Sequence, residues 1–223
     1  MAEHPSQDSA NVSGNNPWQR LDDLYTTRPP WEIGHPQPEF LRLARSGAIR
    51  GRVLDIGCGT GEHVLMCTDL GLDATGLDLA ATALRTAQDK ARSHGSAARF
   101  LHHDARRLAE LGEQFDTVLD CGLFHMLDVD DRPAFTRGLH AALRPGGRYF
   151  MLCFSDLERP REPGTVGPHR LTRDALTATF ADTLRIDSLE RATIEITLDP
   201  AGIHAWLAAM TKAPAQAPAQ APA

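Results

Sequence analysis

Two rhythms alternate along the chain. Short apolar runs bounded by glycine, proline or aspartate have the length and composition of strands: Arg52–Ile56, Asp73–Leu77, Ala98–His102, Phe115–Asp120 and Arg148–Phe154. Helical stretches lie between them. Glu62–Leu70 puts Val64, Leu65 and Leu70 on one side, and Ala80–Ser93 is rich in the good helix formers Ala, Arg, Gln and Lys. Asp131–Leu143 ends at the stop signal Arg144-Pro145-Gly146-Gly147. Thr172–Phe180 begins at Thr172, a residue suited to capping a helix start. Leu184–Leu189 and Thr193–Leu198 read as a closing antiparallel pair. Alternation of this kind predicts a parallel sheet covered on both faces by helices.

The ends depart from this pattern. Residues 1–16 are dominated by Ser, Asn, Asp and Gln, and residues 213–223 repeat Ala, Pro and Gln; neither composition builds a core, so both are expected to be disordered. Residues 17–40 then form an N-terminal arm before a domain over residues 41–212. Composition narrows the class. Hydrophobic residues make up 42% of the 223 and charged residues 23%, which is enough apolar material for one sizeable core. The net charge of −6 argues against a nucleic-acid partner. No run is long enough to span a bilayer and the start is polar, so a cytoplasmic protein is expected. A monomer is the default. Cys58, Cys67, Cys121 and Cys153 form no CxxC pair and no zinc spacing, so reduced thiols and no metal are expected.

Chemistry concentrates at the end of the first strand. Val53-Leu54-Asp55-Ile56 runs into Gly57-Cys58-Gly59-Thr60-Gly61, and a helix follows. Alternate glycines allow a sharp turn and close approach of a ligand to the backbone. In open α/β sheets that place, beyond the carboxyl ends of the strands, is where ligands bind. The spacing GxGxG is neither the GxGxxG of dinucleotide binders nor a phosphate-binding P-loop. Asp78 closes the second strand, where a carboxylate can accept hydrogen bonds from both ribose hydroxyls. An adenosine-type ligand fits, whether NAD or S-adenosylmethionine. Asp55 is placed to orient the ammonium of a methionine moiety. Both acids could instead be plain strand-end residues; the glycine motif favours binding.

These pieces, with His103-Asp104-Ala105 after the third strand, Phe115–Asp120 as the fourth and Leu143–Gly147 as the turn before the fifth, resemble the class I S-adenosylmethionine-dependent methyltransferases over residues 52–156. The resemblance implies a Rossmann-like, doubly wound, mostly parallel seven-stranded sheet with an antiparallel last strand. It implies S-adenosylmethionine as cofactor, held by Asp55, Gly57, Gly59, Gly61, Asp78 with Leu79, Asp104 at the adenine amino group with the Ala105 backbone beside it, and Asp120 and Cys121 bordering the methionine part. A narrower resemblance rests on Pro29-Pro30-Trp31-Glu32-Ile33-Gly34-His35-Pro36-Gln37-Pro38, on Asp120–His125 and on Cys153–Asp156. These are similar to the thiopurine and thiol S-methyltransferase branch, which implies that Trp31 belongs to a cap over the cofactor and that the substrate is a small, soft nucleophile.

His125, just after the fourth strand, and Asp156, past the fifth, are the candidate catalytic residues; a structural histidine and a turn acid are the plainer alternatives. Cys121 is read as wall, since direct methyl transfer needs no covalent enzyme intermediate. After the fourth strand the chain reads Asp-Cys-Gly-Leu, not the Asn/Asp-Pro-Pro-aromatic of amide-nitrogen methyltransferases. The absence of an obvious acid–base dyad favours a thiol, which ionises near pH 8.5, over a phenol near 10 (about 1.5 units apart). O-methylation of a phenol or quinol, and a non-catalytic S-adenosylmethionine-binding module, remain open alternatives.

Overall fold

The computed structural model describes residues 19–159 and 168–214. The disorder expected for residues 1–16, Trp18, and residues 215–223 of the expected tail all lie outside the described residues. Seven strands form one sheet in the order β3-β2-β1-β4-β5-β7-β6. They are β1 Arg52–Ile56, β2 Asp73–Asp78, β3 Arg99–His102, β4 Phe115–Cys121, β5 Leu143–Phe154, β6 Arg185–Ile194 and β7 Ile203–Thr211. The first five run parallel, and β7 lies antiparallel between β5 and β6. The helices are α1 Gln19–Leu24, α2 Pro38–Arg45, α3 Glu62–Asp69, α4 Ala81–Ser93, α5 Arg132–Ala142 and α6 Arg173–Phe180. The expected α/β class, the mostly parallel seven-stranded sheet and the antiparallel last strand are all present. Among the described residues no helix is long and apolar enough to cross a membrane.

Strand alternation sorts the side chains between two cores. Leu54, Ile56, Val118, Tyr149 and Met151 pack under α5 and α6. Val53, Leu119, Phe150 and Leu152 pack against α2 and α3. Asp55 shares parity with Val53, so its carboxylate points to the α3 side. Burial on both faces explains why the central strands are nearly continuous apolar runs.

The expected closing pair needs correction. Leu184–Leu189 and Thr193–Ile194 belong largely to one strand, β6, and the partner strand is β7, which the sequence pattern had not marked. A register shift between Ile186 and Ser188 breaks the alternation of β6, and the polar Glu190-Arg191 looks like a turn. The run Ala205-Trp206-Leu207-Ala208-Ala209-Met210 is buried throughout, so it shows no period-two pattern, and its alanines suggest no strand. The helices α1 and α2 were likewise not foreseen. Thr172 does cap α6, its hydroxyl accepting from the Ala175 N–H at 3.0 Å.

Candidate active site

At the end of β1, Gly57, Gly59 and Gly61 have φ of +68°, +52° and +88°, a region L side chains rarely adopt. Space is as restrictive as conformation. A Cβ at Gly59 would lie 3.0 Å from Glu32 Oε1 and 3.1 Å from Tyr25 Oη, and one at Gly61 would lie 3.0 Å from the Phe100 ring. The turn is thus closely covered, at Gly59 by the N-terminal arm and at Gly61 by Phe100 and Ala87.

The arm is laced along the carboxyl edge of the sheet. Asp22 accepts from Thr82 N–H at the start of α4 (2.7 Å). Glu32 accepts from both the backbone N–H and the hydroxyl of Thr60. Pro30 O accepts from Thr197 N–H (2.8 Å), and the Gln37 side-chain amide exchanges two hydrogen bonds with the Glu195 backbone (3.0 and 2.9 Å). Trp31, expected to cap the cofactor, is 44% exposed and donates its indole N–H to Tyr25 Oη at 3.2 Å. Tyr25 and Glu32, not Trp31, meet the glycine turn; an exposed Trp is more conspicuous in a sequence than the two residues it supports. A cleft of about 520 Å³ opens between the arm and α3–α4, lined by Tyr25, Arg28, Glu32, Thr60, Glu62 and Lys90 among others. None of Asp55, Asp104, Asp120 or His125 lines it. Three of these groups are enclosed: Asp55, Asp120 and His125 are 1%, 0% and 4% exposed.

Four carboxylates terminate the strands, in four different states. Asp78 accepts from Gly59 N–H and Ala80 N–H, both at 2.8 Å. Burial pushes its carboxyl above the ordinary value against the pull of these donors, and Asp55 adds to the rise. Leu79, beside it, accepts from His102 Nε2 through its carbonyl (2.9 Å). Asp55 is the anomaly: among the described residues neither oxygen has a hydrogen-bond partner, although the residue is buried. The nearest basic nitrogen is His63 Nδ1 at 3.7 Å. An unpartnered buried carboxylate is costly unless a cation answers it. Asp104 caps the 3₁₀ segment Ala105–Leu111 and is gripped by Arg106, through Nε at 3.0 Å and Nη2 at 2.6 Å. Burial would raise its carboxyl, but the Arg106 hydrogen bonds win and hold it below the ordinary range. Ala105, 5% exposed, begins that segment.

Asp120 was expected to border the methionine part. Its carboxylate faces inward, accepting from Tyr149 O–H (2.8 Å), Leu123 N–H (2.9 Å) and Phe124 N–H (3.3 Å). Complete burial pushes it up to about 7, against those three donors. It therefore fastens the turn that carries His125 to the sheet. Cys121, next in the strand, is half-buried with its thiol pushed well up by burial and by Asp55, which suits a wall and not a nucleophile. The other three cysteines are buried free thiols.

His125 accepts from the Phe154 N–H at Nδ1 (3.0 Å), and its ring packs on Phe154 with centroids 4.2 Å apart. Its carbonyl accepts from His169 N–H. With Nδ1 engaged as an acceptor, the neutral imidazole carries its proton on Nε2. Its Nδ1 lone pair is therefore committed within the protein and is not held ready for a substrate proton. Asp156 is not drawn into this cluster. It sits exposed on the turn after β5, and among the described residues its carboxylate has no hydrogen-bond or ion-pair partner. Ser155 takes the buried position instead. The strand ends at Phe154, so alternation no longer dictates where Asp156 points.

The site is thus acidic, enclosed and short of a cation at Asp55. Asp55 and the Asp78 edge could together hold a ligand with an ammonium at one end and hydroxyls at the other. Sequence reasoning missed Tyr25, Glu32, Gln37, His63 and Tyr149 as site residues; of these, Glu32 and Gln37 lay in the Pro29–Pro38 segment that carries the narrower resemblance.

A family model described as a methyltransferase domain matches residues 53–147. A 2-heptyl-1-hydroxyquinolin-4(1H)-one methyltransferase of Mycobacteroides abscessus is 34% identical over 166 residues, covering 74% of this chain and 72% of that protein. A probable thiol methyltransferase of Arabidopsis thaliana is 31% identical, covering 70% and 68%. Among solved structures, one described for the conversion of a disulfide bond into a thioacetal group during echinomycin biosynthesis is similar with a TM-score of 0.78 and 35% identity, covering 89% of this chain and 94% of that one.

Proposed function

The chain belongs to the class I S-adenosylmethionine-dependent methyltransferases acting on small molecules, and from that premise we propose that its acceptor atom is the sulfur of a thiol. The observation that carries this reading is the hydrogen bond from the Phe154 N–H to His125 Nδ1. That nitrogen is thereby engaged, Asp120 is turned inward to Tyr149, and Asp156 stands exposed on a turn. None is arranged to take a proton from a weakly acidic hydroxyl. A thiol, with an ordinary pKa of about 8.5, brings its own anionic fraction at neutral pH. His125, on the turn after β4, would then help to position the thiolate and need not deprotonate it. The similarity to a probable thiol methyltransferase and to a structure described for disulfide-to-thioacetal conversion points the same way.

The residues fit the cofactor. Bound S-adenosylmethionine supplies a methyl group on a positively charged sulfur. Asp55 would answer its ammonium, Asp78 its ribose hydroxyls, Asp104 and Ala105 its adenine, and the positive φ of the three glycines would shape the turn along which it lies. Residues 17–40 would act as an arm closing over a catalytic domain of residues 41–212, excluding water from the reacting atoms. Cys121 would line the pocket.

O-methylation of a hydroxylated heteroaromatic is the second reading, favoured by the 34% identity to the hydroxyquinolone methyltransferase. The two are separated by incubating the protein with methyl-labelled S-adenosylmethionine and matched thiols, phenols and N-hydroxyquinolones, and locating the label by mass spectrometry. A labelled thioether is expected, with kcat/KM falling roughly 10-fold or more in His125→Ala. Label on oxygen alone would refute the sulfur reading.

A further inference from the structure

His63 lies two residues beyond the glycine turn and has had no role so far. It is 8% exposed, on the first turn of α3. Its Nε2 accepts the backbone N–H of Gln37 at 3.2 Å, and its Nδ1 lies 3.7 Å from Asp55 Oδ2. One imidazole therefore touches the arm with one nitrogen and faces the unpartnered carboxylate with the other. Gln37 is itself 3% exposed, with its side chain tied to the Glu195 backbone. The arm's far end is thus anchored at His63 and at the β6–β7 loop.

We infer that His63 is a positioning residue that couples docking of the arm to cofactor binding at Asp55. The inference rests on the reading that Asp55 receives the cofactor's ammonium. Because Nε2 accepts from Gln37, the neutral ring holds its proton on Nδ1, toward Asp55. At 3.7 Å this steers the carboxylate without satisfying it, so Asp55 keeps its capacity for a cation. A ring carrying both protons reverses each contact. It cannot accept from Gln37, so the arm loses its anchor, and it presents a full cation to Asp55 in competition with the ammonium. Arm and cofactor are linked through one side chain, and by reciprocity each favours the other.

The groups around the imidazole are few. Asp55 faces it from β1, Gln37 from the arm, and the Phe40 ring of α2 packs edge-on at 4.8 Å. Cys67 follows one turn along α3, its thiol pushed up to about 12 by burial and by Asp55. Glu62 is paired with Lys90, and the His35–Glu195 pair, 3.6 Å apart, lies where the arm meets the β6–β7 loop.

The test compares the full chain with His63→Gln, His63→Ala and Asp55→Asn. Glutamine offers a neutral acceptor; alanine offers none. Affinity for S-adenosylmethionine is read by calorimetry. Amide hydrogen exchange of residues 29–37 is read with and without cofactor. In the unsubstituted protein, cofactor should slow exchange in the arm. His63→Gln should restore binding to within roughly 3-fold of it, with the arm still protected by cofactor. His63→Ala should bind roughly 10-fold more weakly, with arm exchange indifferent to cofactor. Binding by His63→Gln as weak as by His63→Ala, or arm protection preserved in His63→Ala, overturns the inference. Normal binding by Asp55→Asn would remove the reading beneath it, whereas weak binding there beside unaltered His63 variants would overturn the coupling alone.

Discussion

Asparagine at position 120 is the substitution whose effect the structure fixes most closely. Asp120 is fully buried, accepts from Tyr149 O–H and two backbone N–H groups, and is pushed from 3.8 up to about 7, first of all by burial. The native state therefore binds this proton more tightly than the unfolded chain does. Its contribution to stability is complete below pH 3.8, is lost progressively as pH rises, and is gone above about 7. The gap corresponds to roughly 4 kcal/mol, or a slope near 1.4 kcal/mol per pH unit in between. Asp120→Asn keeps the shape and the acceptor for Leu123 and Phe124 but cannot titrate. Urea unfolding of both proteins at a series of pH values, followed by tryptophan fluorescence, gives a difference curve. The native protein should lose stability relative to Asp120→Asn as pH rises from about 4 to about 7. Tyr149→Phe removes a donor that favours the ionised form, so the fall should extend to higher pH. A flat difference curve would refute the argument, because it would mean that the buried carboxyl keeps an ordinary proton affinity.

Two further substitutions test the site's framework. Gly61→Ala combines φ of +88° with a Cβ 3.0 Å from Phe100, and should cost about 2–3 kcal/mol in a urea melt and abolish binding of S-adenosylmethionine; unchanged stability would show that the turn is not as tightly enclosed as described. Thr172→Ala removes the 3.0 Å cap on Ala175 N–H and should lower stability by about 1 kcal/mol, measured the same way, with cofactor affinity unaltered.

The central strands and the glycine turn were readable because local rules and tertiary context agree there. A strand buried on both faces must be apolar, and a turn with φ near +60° under a covering segment must be glycine. Agreement ended where the context is long-range. The bulge after Ile186 shifts the phase of β6, and β7 has no polar face to mark it. Tyr25 and Glu32 acquire their places only because Pro30 and Gln37 bond to residues near 195–197. Asp120 was assigned to the pocket border, since a sequence places a residue at a strand end without showing which way its carboxylate turns; Tyr149, in the next strand, decides that. Asp156 shows the converse, an acid at a promising position that the turn leaves in solvent.

The place of β7 also bears on how the protein is made. Ribosomes deliver the chain from its N-terminus, and after β1 the next four strands emerge in an order that lets each find a neighbour already present. The sixth cannot, because its only partner, β7, is synthesised after it. Until Thr211 has cleared the exit tunnel, β5 presents Phe150, Met151 and Leu152 along an open hydrogen-bonding edge, the kind of surface that recruits other nascent chains. The arm waits as well, since its anchors at Glu195 and Thr197 arrive in the same late stretch. Closure of the sheet and closure of the pocket are therefore one event in biogenesis, and a product cut short before residue 203 is left with neither.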